Sequence, residues 1–319
     1  MGSAANEKKR SRRLIVGLGE VLWDIFPEGK RLGGAPANFA YVCVALGERA
    51  AIASRVGRDE LGEAALRALE ERGLPPDWVQ IDAAHPTGTV LVQLDERGDA
   101  RFEITERVAW DYLEWTDRWR TLARSADAVC FGTLAQRSAP ARATVRNFLR
   151  STRDETLKVF DVNLRPPFYS REVLHESFSL ADIAKLNREE LRIVGDLFEL
   201  DGSDEEMQAR SLLDRFALQL VCVTRGAAGS LLVSARESIE HAAPRIEVVD
   251  TVGAGDAFTA VLTCLYLDRR PLALIGSIAN RLAAWVATQP GAMPPLPESF
   301  LAEIADRDRF DDHEDCGSD

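Results

Sequence analysis

Short apolar runs that alternate with amphipathic helical stretches constrain this chain more than any other feature. "RLIVGLG" (13–19), "AAIASRVG" (50–57), "ADAVCFG" (126–132), "LKVFDVN" (157–163), "ADIAKLN" (181–187) and "LQLVCVT" (218–224) each read as a buried strand. Between them lie helical patterns. "PANFAYVCVALG" has Pro36 near its first turn and Gly47 past its end, with Phe39, Val42, Cys43 and Leu46 at i, i+3, i+4, i+7. "DELGEAALRALEERG" is opened by Asp59 and closed by Gly73. Such alternation gives a mostly parallel sheet with helices on both faces. With 46% hydrophobic and 28% charged residues in 319, a packed core is expected and wholesale disorder is not.

One region breaks the rhythm. "TGTVLVQLDERGDARFEIT" alternates apolar and polar residues around Glu96-Arg97-Gly98-Asp99 and reads as an antiparallel hairpin, Thr89–Leu94 with Ala100–Thr105. "EVLWDIFPEGKRLGG" forms another, turning at Pro27-Glu28-Gly29. Hairpins inserted into an α/β chain are expected to stand off the main sheet as a flap. No internal repeat and no linker for a second domain is visible. The reading is one domain over 14–300, with flap segments at about 20–34 and 87–106 and disordered tails at 1–13 and 304–319.

Charge and cysteine usage exclude several functions. The net charge is −12, and the tail "DRDRFDDHEDCGSD" supplies −5 of it, so nucleic-acid binding is disfavoured. No apolar run reaches the ~18–20 residues of a membrane span, and no signal-peptide pattern follows the basic start. The five cysteines are scattered, without C-x-x-C, which argues against a disulfide framework or a zinc site and for a reducing, cytoplasmic setting. The four histidines are isolated.

"VVDTVGAGDAFTAVL" (248–262) carries the chemistry. "RIEVVD" is strand-like, and "AFTAVLTCLYL" is helix-like with Phe258, Val261, Leu262 and Leu265 on one face. Between them, Gly253, Ala254 and Gly255 precede Asp256. A helix start exposes unpaired backbone N–H groups and positive dipole, and glycine admits a ligand to that backbone. The result is an anion site suited to phosphate. Asp256, ionised at neutral pH, can take the proton of an attacking hydroxyl. On spacing alone it can equally be an N-cap after a glycine turn. The segment is not a Walker A loop, having no Lys-Ser/Thr, and "GLGEVLWD" lacks the third glycine of a dinucleotide fingerprint.

"DTVGAGDAF" resembles the C-terminal signature of the ribokinase/PfkB sugar-kinase family, and "RLGGAPANFAYVCVALG" (31–47) resembles its N-terminal one, in the same order and separation. The resemblance runs from about Leu14 to about Pro297. It implies a three-layer α/β/α sandwich with a small β-flap lid over the sugar, and ATP-dependent phosphorylation of a sugar hydroxyl. It implies Asp256 as general base, with Gly253, Ala254 and Gly255 forming the anion hole. The sugar-binding positions it implies are Asp24, Gly33, Gly34 and Asn38. By spacing alone Asp24 is a turn residue and Asn38 ordinary helix surface. "LNREE" resembles the family's N-x-x-E motif. Asn187 and Glu190 there suit a magnesium hydration shell, though an acid pair at that place can be no more than a helix's first turn. "VTRGAAGS" resembles the nucleotide segment, which points to Thr224, Gly226 and Gly229, and Asn280 matches a position near the adenine. Asp250, Thr251 and Gly291 are candidates for a potassium site.

Two phrases lean toward fructose. "GEVLWDIFP…GGAPANFA" and "FDVNLRPPFY" resemble bacterial fructokinases. Arg165 in the second phrase can fork onto sugar hydroxyls or a carboxylate, or pair with Asp161. 2-Keto-3-deoxygluconate kinase and ribokinase remain open as alternatives, as does an inactive sugar-binding regulator on the same fold. The intact "GAGD" speaks against the last. An exposed flap edge at Thr89–Thr105 suggests a homodimer.

Overall fold

Strand β1 (Leu14–Leu18) pairs in parallel on both of its edges, the position expected for an apolar run with no polar face. It leads into a hairpin, β2 (Leu22–Phe26) with β3 (Gly29–Gly33), then helix α1 (Ala35–Ala45), β4 (Arg49–Gly57), α2 (Glu60–Glu70), β5 (Val79–Asp82), β6 (Gly88–Leu94) and β7 (Ala100–Ile104). The second half runs α3 (Asp117–Ser125), β8 (Ala128–Gly132), α4 (Ala139–Arg150), β9 (Leu157–Asp161), α5 (Arg171–Leu180), β10 (Ile183–Asn187), α6 (Arg188–Phe198), α7 (Glu205–Phe216) and β11 (Leu220–Thr224). It closes with β12 (Ser230–Ser234), β13 (Ser238–His241), α8 (Ala254–Leu267), α9 (Leu272–Ala287) and α10 (Glu298–Ala305). The structure is a computed structural model and describes residues 12–94 and 100–305. The two expected tails, but for a few residues at their inner ends, and the Glu96–Asp99 turn lie outside the described residues.

Nine strands form the main sheet in the order β13-β12-β11-β10-β9-β8-β1-β4-β5. Seven strands, β11 to β5 in that order, are joined by six parallel pairings, and β12 and β13 add an antiparallel edge. That edge and the short strand β5 were not read from the sequence. Helices cover both faces. One apolar layer gathers Trp119, Val145, Phe148, Leu174, Phe178, Leu191 and Leu212 from α3 to α7. The opposite layer gathers Phe39, Cys43, Phe258, Val261, Leu262, Ile275 and Leu282 from α1, α8 and α9. Phe131 stacks on Phe160 at 5.0 Å, and Phe160 meets Phe178 edge-on at 5.1 Å, so the first layer is knit across three elements.

The two hairpins merge into one sheet of their own, β3-β2-β6-β7, because β2 and β6 pair in parallel. The flap is therefore a four-stranded sheet, in which Leu22 of β2 and Val90 of β6 are buried together. The helix starts follow their caps: Asp59 accepts from Gly62 N, and Ser138, Ser170 and Asp204 do the same at α4, α5 and α7.

One expected strand is absent. "RIEVVD" is an irregular segment, with Val248 and Val249 57% and 62% exposed. Val249 N and Asp250 N both donate to the Ala287 carbonyl, so the segment is tied to the end of α9 and pairs with no strand. Its β-branched residues carry strand propensity, but propensity without a partner edge does not make a strand.

Candidate active site

The candidate residues converge at the C-terminal ends of β1, β9 and β10, where open parallel sheets bind ligands. Gly253 begins α8 with φ 80°, and a Cβ there would lie 2.6 Å from the Ala292 Cα. Only glycine suits both demands. The backbone of Ala254 and Gly255 then forms the first turn, and Asp256 occupies its third position. Asp256 is therefore not the N-cap. Its Oδ2 accepts a 2.7 Å hydrogen bond from Asn38 Nδ2.

Asn38 reaches Asp256 because α1 packs on α8. Gly34 caps α1 with φ 109°, abutting the Glu20 carbonyl where a side chain would collide. Asn38 is 4% exposed and is no surface residue; its Oδ1 is buried without a partner. Asp24 lies in β2 opposite Arg31, not in a turn. Gly33 leaves room for its carboxylate: a Cβ there would come within 2.5 Å of Asp24 Oδ2.

Beneath the first turn of α8 lies a buried charge network. Lys185 Nζ donates to both carboxylate oxygens of Asp161, at 3.1 and 3.2 Å. Thr259 Oγ1 lies 2.8 Å from Asp161 Oδ2 and 2.9 Å from the Gly255 carbonyl, donating between them. Asp161 is thus taken, and the expected alternative pairing with Arg165 does not occur. Among the described residues Arg165 has no ion pair. It donates to the Leu164 carbonyl at 3.0 Å, and its positive charge reaches Glu20, Asp24 and Asp256.

Burial governs the electrostatics. It pushes Asp256 up to about 6, helped by Asp161, while the Asn38 hydrogen bond, Lys185 and Arg165 pull the other way. Burial and then Asp250 raise Asp24 to about 6, against Arg165 and Arg31. Glu20 reaches about 7, again chiefly through burial. Lys185 shows the opposite balance: burial alone would depress it, but Asp161, Glu190 and Asp256 hold the ammonium above its ordinary value. At pH 7 Asp256 remains mostly ionised, and it stands closer to the proton affinity of a useful base than a solvated aspartate does.

The remaining candidates fall nearby with their side chains partly engaged. Asn187 caps α6: its Oδ1 accepts from Glu190 N, and Glu190 Oε2 accepts from Asn187 N, both at 2.8 Å. Glu190 Oε1 accepts from Leu164 N at 2.7 Å. The helix-start reading of this pair is therefore realised. Each carboxylate oxygen keeps a second lone pair, which fits a hydrated ion better than direct ligation. Among the described residues no cluster of three or more His, Cys, Asp and Glu side chains is placed to hold a metal ion. Thr224 ends β11, its hydroxyl 3.3 Å from the Leu186 carbonyl, and Gly226 and Gly229 follow with φ 57° and 92°. Asn280 is buried, and its Nδ2 donates to Ser230 Oγ and the Gly276 carbonyl, both at 2.7 Å, so its donors are already used. Asp250 Oδ2 accepts from Gly291 N at 3.0 Å and lies 3.3 Å from Arg31 Nη1, which brings Asp250, Thr251 and Gly291 to one loop cluster.

Sequence reading missed Glu20, Lys185 and Thr259. Lys185 left a signal: it is a charged residue at the centre of an apolar strand, where a partner is obligatory.

A family model described as pfkB family carbohydrate kinase matches residues 22–299. The chain is 32% identical over 301 residues to a fructokinase of Escherichia coli, covering 88% of this chain and 95% of that one. Among solved structures, the sugar kinase PH1459 of Pyrococcus horikoshii in complex with ATP superposes with a TM-score of 0.76 at 26% identity, over 91% of this chain and 99% of that one. A Vibrio cholerae fructokinase in its fructose, ADP and calcium ion bound form superposes with a TM-score of 0.77 at 25% identity, over 92% and 99%.

Proposed function

The chain belongs to the pfkB family of carbohydrate kinases, and within it we propose an ATP-dependent fructokinase with Asp256 as general base. The observation that carries the catalytic assignment is the partly buried Asp256 carboxylate, held by Asn38 in the first turn of a glycine-started helix. The fructose assignment is supported by the likeness to the E. coli fructokinase and by "GEVLWDIFP" and "FDVNLRPPFY".

In this reading the sugar hydroxyl gives its proton to an Asp256 oxygen as its own oxygen bonds to the γ-phosphorus. The bond from that phosphorus to the bridging oxygen breaks, and ADP leaves. The amides of Gly253, Ala254 and Gly255 would meet the charge of the transferring group with fixed donors, the Ala254 amide resting 3.3 Å from the Thr251 carbonyl in the free protein. Asp24, Gly33, Gly34, Asn38 and Arg165 hold the sugar. Thr224, Gly226, Gly229 and Asn187 hold the phosphates, and Asn280 meets the base through its carbonyl oxygen. Magnesium bound to the nucleotide would neutralise phosphate charge, its waters held by Asn187 and Glu190. A monovalent cation would sit among Asp250, Thr251 and Gly291. The small β3-β2-β6-β7 sheet would close over the sugar and exclude water, and its open edges would serve a homodimer.

Coupled ADP release across fructose, ribose, 2-keto-3-deoxygluconate and nucleosides tests this reading. Fructose is expected to give the highest kcat/KM. Good turnover of another sugar without fructose turnover would overturn the fructose assignment, and no turnover with any acceptor would favour the inactive regulator.

A further inference from the structure

Glu20 is a buried acid of the cleft to which the proposed mechanism gives no task and which, unlike Asp161, has no ion pair among the described residues. It follows β1 directly and is 4% exposed, and its Oε2 is buried without a hydrogen-bond partner. A buried carboxylate oxygen left unpaired is costly, so such an atom points to something absent from the protein alone. The surroundings say where that something sits. Glu20 lines one cavity together with Asp161, Asn163 and Asp256, between the ends of β1, β8 and β9 and the start of α1. The Glu20 backbone is locked: Gly34 presses on its carbonyl, and a Cβ on Gly19 would lie 2.9 Å from Pro36 Cγ. The amides of Glu20 itself and of Ala35, at the start of α1, face the carboxyl. This is a prearranged acceptor and not a side chain adrift.

We infer that Glu20 is a sugar-binding residue of the acceptor site, its Oε2 receiving a substrate hydroxyl on the cavity floor beside the one that Asp256 activates. The inference rests on the sugar-kinase reading of the cleft, but not on fructose. A hydroxyl suits the position because it can donate to the carboxylate or accept from the carboxylic acid. Burial, helped by Asp256 and opposed by the amides and Arg165, leaves Glu20 at about 7, where both forms are present. Glu20 then reads the acceptor: a sugar lacking that hydroxyl leaves the buried oxygen unpaired, and sites built this way discriminate strongly against the deoxy analogue.

The experiment measures KM and kcat of the full-length chain, Glu20→Gln and Glu20→Ala on the best acceptor of the sugar panel and on its monodeoxy derivatives. Thermal melts of each variant confirm folding. Glu20→Ala is expected to raise the sugar KM by roughly tenfold or more and to leave the ATP KM within about twofold. One deoxy sugar, already poor with the unaltered protein, is expected to lose nothing further in Glu20→Ala, while the other deoxy sugars lose as much as the parent. Glu20→Gln, which keeps an acceptor oxygen, falls between. An unchanged sugar KM in a folded Glu20→Ala variant overturns the inference, as does an equal loss on every deoxy sugar. A lowered melting temperature with unchanged sugar KM assigns Glu20 to a buried water and overturns it too. If fructose is not turned over but another sugar is, the fructose assignment fails while the Glu20 test proceeds on that sugar.

Discussion

Asn38 Nδ2 and Asp256 Oδ2 meet at 2.7 Å across 218 residues of sequence, joining the first turns of α1 and α8. The bond fixes the carboxylate and lowers its proton affinity. Burial raises that affinity more, and the balance leaves Asp256 at about 6. Geometry and acidity of the candidate base thus depend on the same contact.

Asp256→Asn is expected to lower kcat by at least about two orders of magnitude. The amide oxygen still accepts from Asn38, so folding and the binding of sugar and nucleotide are expected to persist. Steady-state kinetics with calorimetric titration checks this; an unchanged kcat removes Asp256 from the mechanism.

Asn38→Ala takes away the one neutral donor of Asp256. The acid limb of kcat/KM is expected near pH 6 in the unaltered protein, with activity lost as pH falls through it. The variant should move that limb upward and lose more at pH 6 than at pH 8. A pH–rate profile of both proteins is the measurement. The apparent values belong to Glu20 and Asp256 together.

Stability of the unliganded protein is expected to fall as pH rises from about 4 to about 7. Glu20, Asp24 and Asp256 all have folded values above their ordinary ones. The folded state therefore binds more protons in that window, and raising the pH disfavours it. Asp59 and Asp82, held by hydrogen bonds below their ordinary values, act in the opposite sense at lower pH. Melting temperatures across this range check the sign, and Glu20→Gln should raise the value at pH 8 more than at pH 5.

Lys185→Met leaves Asp161 buried without its cation. Removing one partner of such a pair costs about 3–5 kcal/mol, and Lys185 and Asp161 are 8% and 6% exposed. The double variant Lys185→Met/Asp161→Leu is expected to be less destabilised than Lys185→Met alone. Denaturant unfolding in a double-mutant cycle measures it. Equal or greater loss in the double variant would show that Thr259 and its hydrogen bond carry the network.

The parallel sheet was legible because "LIVGL", "AVCFG" and "LVCVT" are apolar on both faces, which only a covered strand tolerates. The glycine-started helix and its aspartate were legible because Gly253 answers a backbone demand that sequence records directly. The Asn38–Asp256 bond was not, since spacing in sequence says nothing of which helix packs on which. "RIEVVD" misled for the same reason: its residues favour a strand, but its amides at Val249 and Asp250 are taken by the Ala287 carbonyl at the end of α9. Glu20 was hidden in plain view, because an acid after a strand reads as surface until the surrounding loops are seen to bury it. The N-x-x-E pair reads alike as metal shell or helix cap, and its capping bonds are compatible with both.

Because α1 and α8 must dock before Asn38 and Asp256 can meet, no nascent fragment of this chain holds a complete centre. Contacts so distant in sequence are slow to form and come late. Turnover should therefore emerge only after the C-terminal third has left the ribosome and packed, which makes activity a sensitive reporter of finished folding.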